Sequence, residues 1–371
     1  LTPFVIPFFI AHQGCPHQCV FCNQHAISGQ GQEATLTAAQ VRDEIKLKLA
    51  WPRHPDRPVQ VAFYGGSFTG LPLGRREELL GAVAPFLARG EVQSIRVSTR
   101  PDLISPAIVD HLKERGVGLV ELGVQSLDDE VLRQSGRGHA AAAVAQAFAL
   151  LKEGGVQVGG QLMVGLPGES RRAALASAKK LAALRPDLVR MYPTLVMAGS
   201  GLAALFARGA FQPWSLAQCT VVCSLMKDIF DRHGIVVARL GLQSCPSLER
   251  DLLAGPYHPA FGELVLSRQY YKKVRAVLRA ARQGDAPRPL TLRLAQRDRS
   301  LFVGLKRQNL ARYDKTALLD QVEVVFLPQQ PRFSVEVVAG RGGSGLTAGL
   351  GVALRPGPSG KHAGGRDSPQ G

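Results

Sequence analysis

The chain contains no run of about 18 uncharged apolar residues, so no segment reads as a helix that crosses a membrane. The longest apolar stretch near the start, Phe4 to Ala11, is short and lacks a basic leader, so it is not expected to be a signal peptide. A chain that begins at Leu1 rather than Met is expected to have lost a few residues. Cysteine is scarce, six in 371 residues, and this excludes a secreted scaffold held by disulfides. Acidic side chains are in deficit, with 29 Asp and Glu against 45 Lys and Arg, a formal charge of +16. At 45% hydrophobic residues and a mean hydropathy of +0.02, the chain is too apolar to be disordered. Its length suits two domains or one large α/β domain.

The few cysteines are unevenly spent. Cys15, Cys19 and Cys22 fall in one short stretch, Gly14-Cys15-Pro16-His17-Gln18-Cys19-Val20-Phe21-Cys22-Asn23. Gly14 and Pro16 make the stretch a loop, and only a loop lets thiols at this spacing converge. Thiolates are soft ligands that suit zinc or iron–sulfur clusters. A structural zinc site wants four closed ligands, so His17 or His25 would have to complete it. Three cysteines on a [4Fe–4S] cluster leave one iron open. Incidental thiols are the third reading.

Short Val- and Leu-rich strands alternate with helices. Strands are expected at Val5–Ile10, Val59–Tyr64, Ser94–Thr99, Gly118–Val124, Val156–Val164, Leu188–Tyr192 and Ile235–Leu240. The helices between them include one opened by a Thr37/Gln40 capping box and one over Leu216–His233. This is the pattern of a parallel sheet covered by helices, and about six βα repeats fit a partial (β/α)6 barrel. Such a barrel does its chemistry at the C-terminal ends of the strands. The unusual residues collect there: the Cys loop after the first strand, Gly65-Gly66 after the second, Ser98-Thr99-Arg100 after the third, and Gln125 after the fourth.

The ordered motifs carry a resemblance. They are the stretch from Gly14 to Gly29, Phe63-Tyr64-Gly65-Gly66-Ser67-Phe68-Thr69, Ser98-Thr99-Arg100-Pro101-Asp102 and Glu121-Leu122-Gly123-Val124-Gln125-Ser126. After these come Ser135-Gly136-Arg137-Gly138-His139, Gln161 to Gly168, Arg190-Met191-Tyr192-Pro193 and Gly255 to Gly262. With them the chain resembles the radical S-adenosylmethionine (SAM) superfamily. Within it, the chain is similar to bacterial proteins related to the catalytic subunit of Elongator, without the acetyltransferase half.

The resemblance implies that Cys15, Cys19 and Cys22 hold three irons of a [4Fe–4S] cluster whose fourth iron chelates SAM. One electron then cleaves SAM, and the resulting 5′-deoxyadenosyl radical takes a hydrogen atom from the substrate. It assigns Gly65 and Gly66 to close approach of backbone to the methionyl ammonium, against a plain turn as the alternative. Ser98, Thr99 and Arg100 fall near the ribose or carboxylate, with a surface arginine as the alternative for Arg100. Gln125 and Ser126 fall near ribose or substrate, although Ser126 also suits a helix N-cap. Val164 to Pro167 become the wall against adenine, or an ordinary tight turn. His258, in Tyr257-His258-Pro259, either contacts substrate and moves a proton or is structural. Cys219 and Cys223 share a helix face and read as packing, with a second cluster as the alternative; Cys245 has no assigned role.

Charge is concentrated late in the chain. From Lys272 to Gly371 there are 18 basic and 7 acidic residues, so this segment carries +11 of the +16. The expected organisation is a radical SAM partial barrel over 1–245, a small basic α+β region over 246–335, and a disordered Gly/Pro-rich tail over 336–371. Within the basic region, a helix is expected from Lys272 to about Ala280, strands at Thr291–Leu294 and Val322–Phe326, and a cationic helix or loop over Gly304–Tyr313. Such a segment suits RNA, since Lys and Arg on phosphates dominate nucleic-acid affinity. The Elongator resemblance points to tRNA, and an electron donor such as flavodoxin or ferredoxin is implied in a cytoplasmic setting. The competing expectations are a radical SAM enzyme for a porphyrin or other small metabolite, and a non-catalytic RNA-binding or zinc-structured protein.

Overall fold

The computed structural model describes residues 2–24, 26, 36–283 and 289–339. It divides into two compact units, Leu1–Gln269 and Tyr270–Gly371. The expected tail from Gly340 onward lies outside the described residues, as do His25 and the Ile27-Ser28-Gly29 end of the first motif.

The first unit is built on seven parallel strands. They are β1 (Phe4–Phe9), β2 (Val59–Tyr64), β3 (Ser94–Thr99), β4 (Val117–Gln125), β5 (Gln157–Val164), β6 (Leu188–Pro193) and β8 (Val236–Leu240). They hydrogen-bond in that order, and β1 does not close onto β8. The sheet is therefore a curled half-barrel, with six crossovers as the six expected repeats require. Each strand carries side chains alternately to its two faces. One face (Val61, Phe63, Ile95, Val97, Val120, Leu122, Val158, Leu162, Val189, Met191) joins the main apolar core with the covering helices. The other presents Gln60, Tyr64, Arg96, Ser98, Glu121, Gln125, Gln161, Arg190 and Tyr192. The helices begin where side-chain caps dictate. Thr37 and Gln40 form the expected capping box. Ser105 caps Pro106–Glu114, and Ser170 caps Arg171–Ala183.

Some boundaries differ from expectation for identifiable reasons. The first unit continues past residue 245 because a strand missed in the sequence, β7 (Val196–Met197), pairs antiparallel with β9 (Leu252–Ala254). Leu248 packs on Leu195 and Met197, and Phe261 and Val265 enter the main core. The helix expected from Lys272 starts at Phe261 and runs to Gln283. Its start is set by the His258 carbonyl and by the His258 ring, whose Nδ1 accepts from the Ala260 amide at 3.0 Å. His258 is thus spent on the turn into a helix.

The second unit holds a three-stranded sheet in the order β11 (Val322–Leu327), β10 (Leu290–Ala295), β12 (Val335–Ala339). β12 occupies residues expected in the tail, because its backbone completes the free edge of β10 in antiparallel register. Phe302 stacks on Tyr313 at 5.1 Å, and Tyr271 lies 5.0 Å from the same ring. Asp298, fully buried, accepts from the Phe333 amide and from Arg332.

Cys219 and Cys223 lie fully buried in the main core on the helix Leu216–Arg232, as packing residues. Beside them lies Glu169, at the turn that follows β5. One carboxylate oxygen accepts from the amides of Gly165 (2.7 Å) and Leu166 (3.4 Å), while the other is buried without a partner. Burial outweighs those two hydrogen bonds and pushes its pKa up to about 8. A carboxyl raised in the folded state binds its proton more tightly there. Its stabilising effect is full below the ordinary pKa of 4.5 and is lost as pH rises through about 8. Glu169→Gln, which keeps the acceptor and stays neutral, is expected to remove this slope. Melting temperatures of the variant and wild type should converge near pH 4.5 and separate toward pH 9, with the variant higher.

Candidate functional site

The Cys loop follows β1 and is clasped from three sides. After β2, the Ser67 amide donates to the Gln13 carbonyl at 2.8 Å. The Gln24 side-chain oxygen accepts from the Gly66 amide at 2.6 Å and from the His12 amide at 2.5 Å, pinning the two loops together. From the segment 135–139, the Ser135 carbonyl accepts from the Val20 amide at 3.1 Å. From the segment after β7, the Leu202 amide donates to the Val20 carbonyl at 2.6 Å. There Asn23 also donates to the Ala198 carbonyl at 2.6 Å.

Glycines make this closeness possible. A Cβ on Gly66 (φ 55°) would strike the Gln13 carbonyl and lie 2.5 Å from that of Ile10. One on Gly14 (φ 72°) would strike the Ser67 carbonyl, and one on Gly138 would lie 2.5 Å from the His17 ring nitrogen. Gly66 is therefore required first by the seating of the Cys loop, not by the approach of a ligand. Gly65 differs: its nearest neighbour is the Gln24 side chain at 3.3 Å. It is the member of the pair that leaves room for an incoming group.

Within the loop, Cys19 is buried, while Cys15 and Cys22 are half-buried. The Cys15 sulfur lies 3.3 Å from the Ser67 hydroxyl. The Cys19 sulfur accepts from Arg137 Nη1 at 3.6 Å. Burial, then the neighbouring Cys19 and Cys15, push the Cys22 thiol up to about 12. Among the described residues no three His, Cys, Asp or Glu side chains form a group that could close on a metal ion. The thiols are neighbours without being a closed ligand set. Even so, the donor chemistry fits a cluster held by three cysteines: soft sulfurs, an open fourth position, and a buried guanidinium placed to balance thiolate charge.

The other expected residues separate into groups. Gln125 ends β4 with φ 65°, a conformation that costs a non-glycine residue energy and that concentrates at functional sites. Its side chain accepts from Gln161 at 3.2 Å on the polar face. Ser98 shares that face with Arg96 by strand alternation. Thr99 is buried, its hydroxyl 2.6 Å from that of Thr69. Arg100 is 2% exposed and grips Asp102 through two hydrogen bonds of 3.0 and 2.9 Å. It also donates to the Arg137 carbonyl at 2.6 Å. It is therefore a brace, neither a surface residue nor a free anion clamp, although its Nη1 is buried without a partner. Ser126 is fully buried, bonded to Ser177 and to the Asp128 amide, and Asp128 is the cap of the next helix. Val164 is fully buried in the main core, and its carbonyl accepts from the Thr194 amide at 2.8 Å. Its side chain packs the outer layer.

The sequence pattern passes over Arg137, Gln24 and the charges beneath the mouth. Glu121 lies between Arg96 (3.0 Å) and Arg190 (2.9 Å). Tyr64 takes a hydrogen bond from Arg190 at 2.8 Å, and Gln60 takes one from Arg96 at 2.8 Å. Burial pulls the Arg190 guanidinium down, but Glu121 and the two tyrosines more than offset this, so it stays charged. A signal was present in principle: charged residues at alternate positions of strands whose other face is apolar.

Substitution tests the clasp. Gly66→Ala combines a clash with a backbone strain of about 1–3 kcal/mol, and should lower the thermal midpoint by several degrees. Gly81→Ala, on an exposed helical site where a Cβ meets nothing within 4 Å, should raise stability by about 0.5–1 kcal/mol. Equal midpoints for the two variants would remove the special status of Gly66.

Comparison with known proteins agrees with this architecture. Residues 9–181 match the radical SAM superfamily model, and residues 186–272 match the radical SAM C-terminal domain. A tRNA uridine(34) acetyltransferase of Dehalococcoides mccartyi is 29% identical over 231 residues, 54% of this chain and 50% of the relative. Elongator complex protein 3 of Saccharomyces cerevisiae is 29% identical over 182 residues, 44% of this chain and 33% of the relative. The chain thus spans half or less of the length of these relatives. The solved structure of Methanocaldococcus infernus Elp3 superposes with a TM-score of 0.57 at 24% identity, covering 73% of this chain and 64% of that one. It shares the fold. With the half-barrel and the Cys loop at its mouth, these two consecutive matches show that the chain carries a radical SAM domain followed by a radical SAM C-terminal domain.

Proposed function

We propose that the chain is a radical SAM enzyme that carries a [4Fe–4S] cluster on Cys15, Cys19 and Cys22 and acts on tRNA. The observation that carries this reading is the seating of the Cys loop. Three separate segments hold it at the C-terminal mouth of the half-barrel, beside the open side of Gly65 and the strained Gln125. Bound there, the cluster and SAM supply one-electron chemistry that ends in removal of a hydrogen atom from the substrate.

The chain's own residues have separable tasks. Cys15, Cys19 and Cys22 give up their protons on taking iron, so loading should be favoured by rising pH. Gly65 leaves space for backbone approach. Gln125, oriented by Gln161, and Ser98 offer hydrogen bonds from the polar face. The Arg96–Glu121–Arg190 group fixes the floor beneath them. The electron comes from a small donor of the flavodoxin or ferredoxin class, in a cytoplasmic setting that keeps the thiols reduced.

tRNA is favoured by two things: relatives named for tRNA uridine(34) acetylation, and the charge of the second unit. There Arg275, Arg279 and Arg282 line one groove of about 330 Å³ together with Thr316 and Leu318. Arg282 is spent on the carbonyls of Ala317, Leu318 and Asp320, while Arg275 and Arg279 are exposed. A second reading, a small anionic metabolite such as a porphyrin, is favoured by the polar face. Arg96, Arg190 and Arg239 stand on its strands, where Glu121 is the one acidic side chain among the described residues.

Anaerobic reconstitution with iron and sulfide should load about four irons per chain. Cys19→Ala should lose them, and the core variant Cys219→Ala should not. Reduction in the presence of SAM should then release 5′-deoxyadenosine. Stoichiometric zinc without iron would overturn the enzyme reading. For the substrate, tRNA affinity should fall with salt. The double variant Arg275→Glu/Arg279→Glu should weaken it and flatten the log–log salt slope by roughly 0.7–0.9 for each phosphate no longer neutralised. Binding indifferent to both changes would favour the small anionic metabolite.

A further inference from the structure

We propose that Arg137 is a positioning residue that raises the reduction potential of the cluster by donating a charged hydrogen bond to the Cys19 thiolate. The proposal rests on the reading of Cys19 as a cluster ligand. Arg137 is 6% exposed, as is Cys19, and its Nη1 lies 3.6 Å from the sulfur. Its other side-chain hydrogen bond goes to a neutral acceptor, the Gly123 carbonyl. Its Nε is buried without a partner. No carboxylate forms an ion pair with it among the described residues. The one near at hand, Asp102, is held by Arg100.

A buried cation is costly unless an anion faces it. Among the described residues no carboxylate meets that cost for Arg137. Once Cys19 is a metal-bound thiolate, the guanidinium has its counter-charge. The arrangement is therefore built for the loaded state.

The surroundings hold Arg137 to this task. Gly136 and Gly138 flank it with φ of 62° and 78°, and its own amide donates to the Leu132 carbonyl at 3.0 Å. Its carbonyl is gripped by Arg100, itself locked by Asp102. Gly123, inside β4, weakens that strand, but a Cβ there would stand 2.8 Å from Arg137 Nη2. The glycine makes room for the guanidinium. Cys15 meets the neutral Ser67 hydroxyl, and Cys22 meets Gln24 and also feels the charge of Arg137, but the hydrogen bond of Arg137 goes to the Cys19 sulfur.

Hydrogen bonds to cluster sulfurs and nearby positive charge stabilise the more negative, reduced cluster. The electron arrives from a one-electron donor, and no bond is made or broken in the step. The test is a redox titration followed by electron paramagnetic resonance on the intact chain, reconstituted anaerobically without SAM, with iron measured for each variant. Arg137→Gln should shift the midpoint to a more negative value at unchanged iron content. Arg137→Lys should recover part of the shift. Gly123→Ala, which displaces the guanidinium and alters no ligand, should shift the midpoint in the same direction. If Arg137→Gln fails to hold iron, the Lys and Gly123 variants carry the comparison. Midpoints equal to wild type at equal iron content would overturn the proposal and leave the cluster reading standing. A wild-type chain that takes up no iron would overturn both.

Discussion

Backbone packed directly on backbone around the Cys loop is the constraint on which the rest of the site depends. Apart from Val20 and Phe21, which pack against Val196, Leu202 and Phe211, the loop carrying three thiols has little apolar surface with which to bury itself. It is held instead by amide–carbonyl bonds to segments that follow β2 and β7 and to the turn before the helix Ala141–Glu153. Such bonds require close approach, and close approach requires glycine at Gly14, Gly66 and Gly138. The strand ends place these segments around one mouth. The order of the sheet is thus what turns distant stretches of sequence into a single clasp.

The half-barrel makes a second demand. A sheet with helices on one face leaves the other face to be filled or solvated, and here that face is charged. Glu121 between Arg96 and Arg190 is a buried ionic group whose desolvation cost is offset only because both tyrosine and glutamine acceptors complete it. Removing Glu121 would leave two guanidiniums facing each other. An apolar filling would stabilise the fold at least as well, so the charges are better explained by what the face must bind than by stability.

Much of the fold was legible because parallel strands covered by helices announce themselves as short apolar runs between capped helices. β2 and β3 were bounded to the residue, since Gly65 and the Arg100-Pro101 step stop them. β7 and β9 were not, being two and three residues long and defined only by each other. β12 was missed because a Gly-rich continuation made its Val-Glu-Val-Val look like the start of a tail. Within the site, residue types were legible and partners were not. Gly66 reads as a place for a ligand until Gln13 is brought against it, and Arg100 reads as an anion clamp until Asp102 and the Arg137 carbonyl occupy it. Val164 follows the same logic, since its strand parity points it into the core.

Arg137 shows what sequence pattern misses in principle. It lies in Ser135-Gly136-Arg137-Gly138-His139, far along the chain from Cys19, and nothing local distinguishes it from the many other arginines of a basic protein. What distinguishes it is an imbalance: burial without an ion-paired carboxylate among the described residues, beside the sulfur of a cysteine read as a cluster ligand. Most cations of this chain are solvated or paired, and their number reports on surface and partners. A buried cation with no anion reports instead on the state in which the protein works. The +16 total therefore conceals two roles for arginine, one in the open groove of the second unit and one behind the Cys loop, and only burial and geometry separate them.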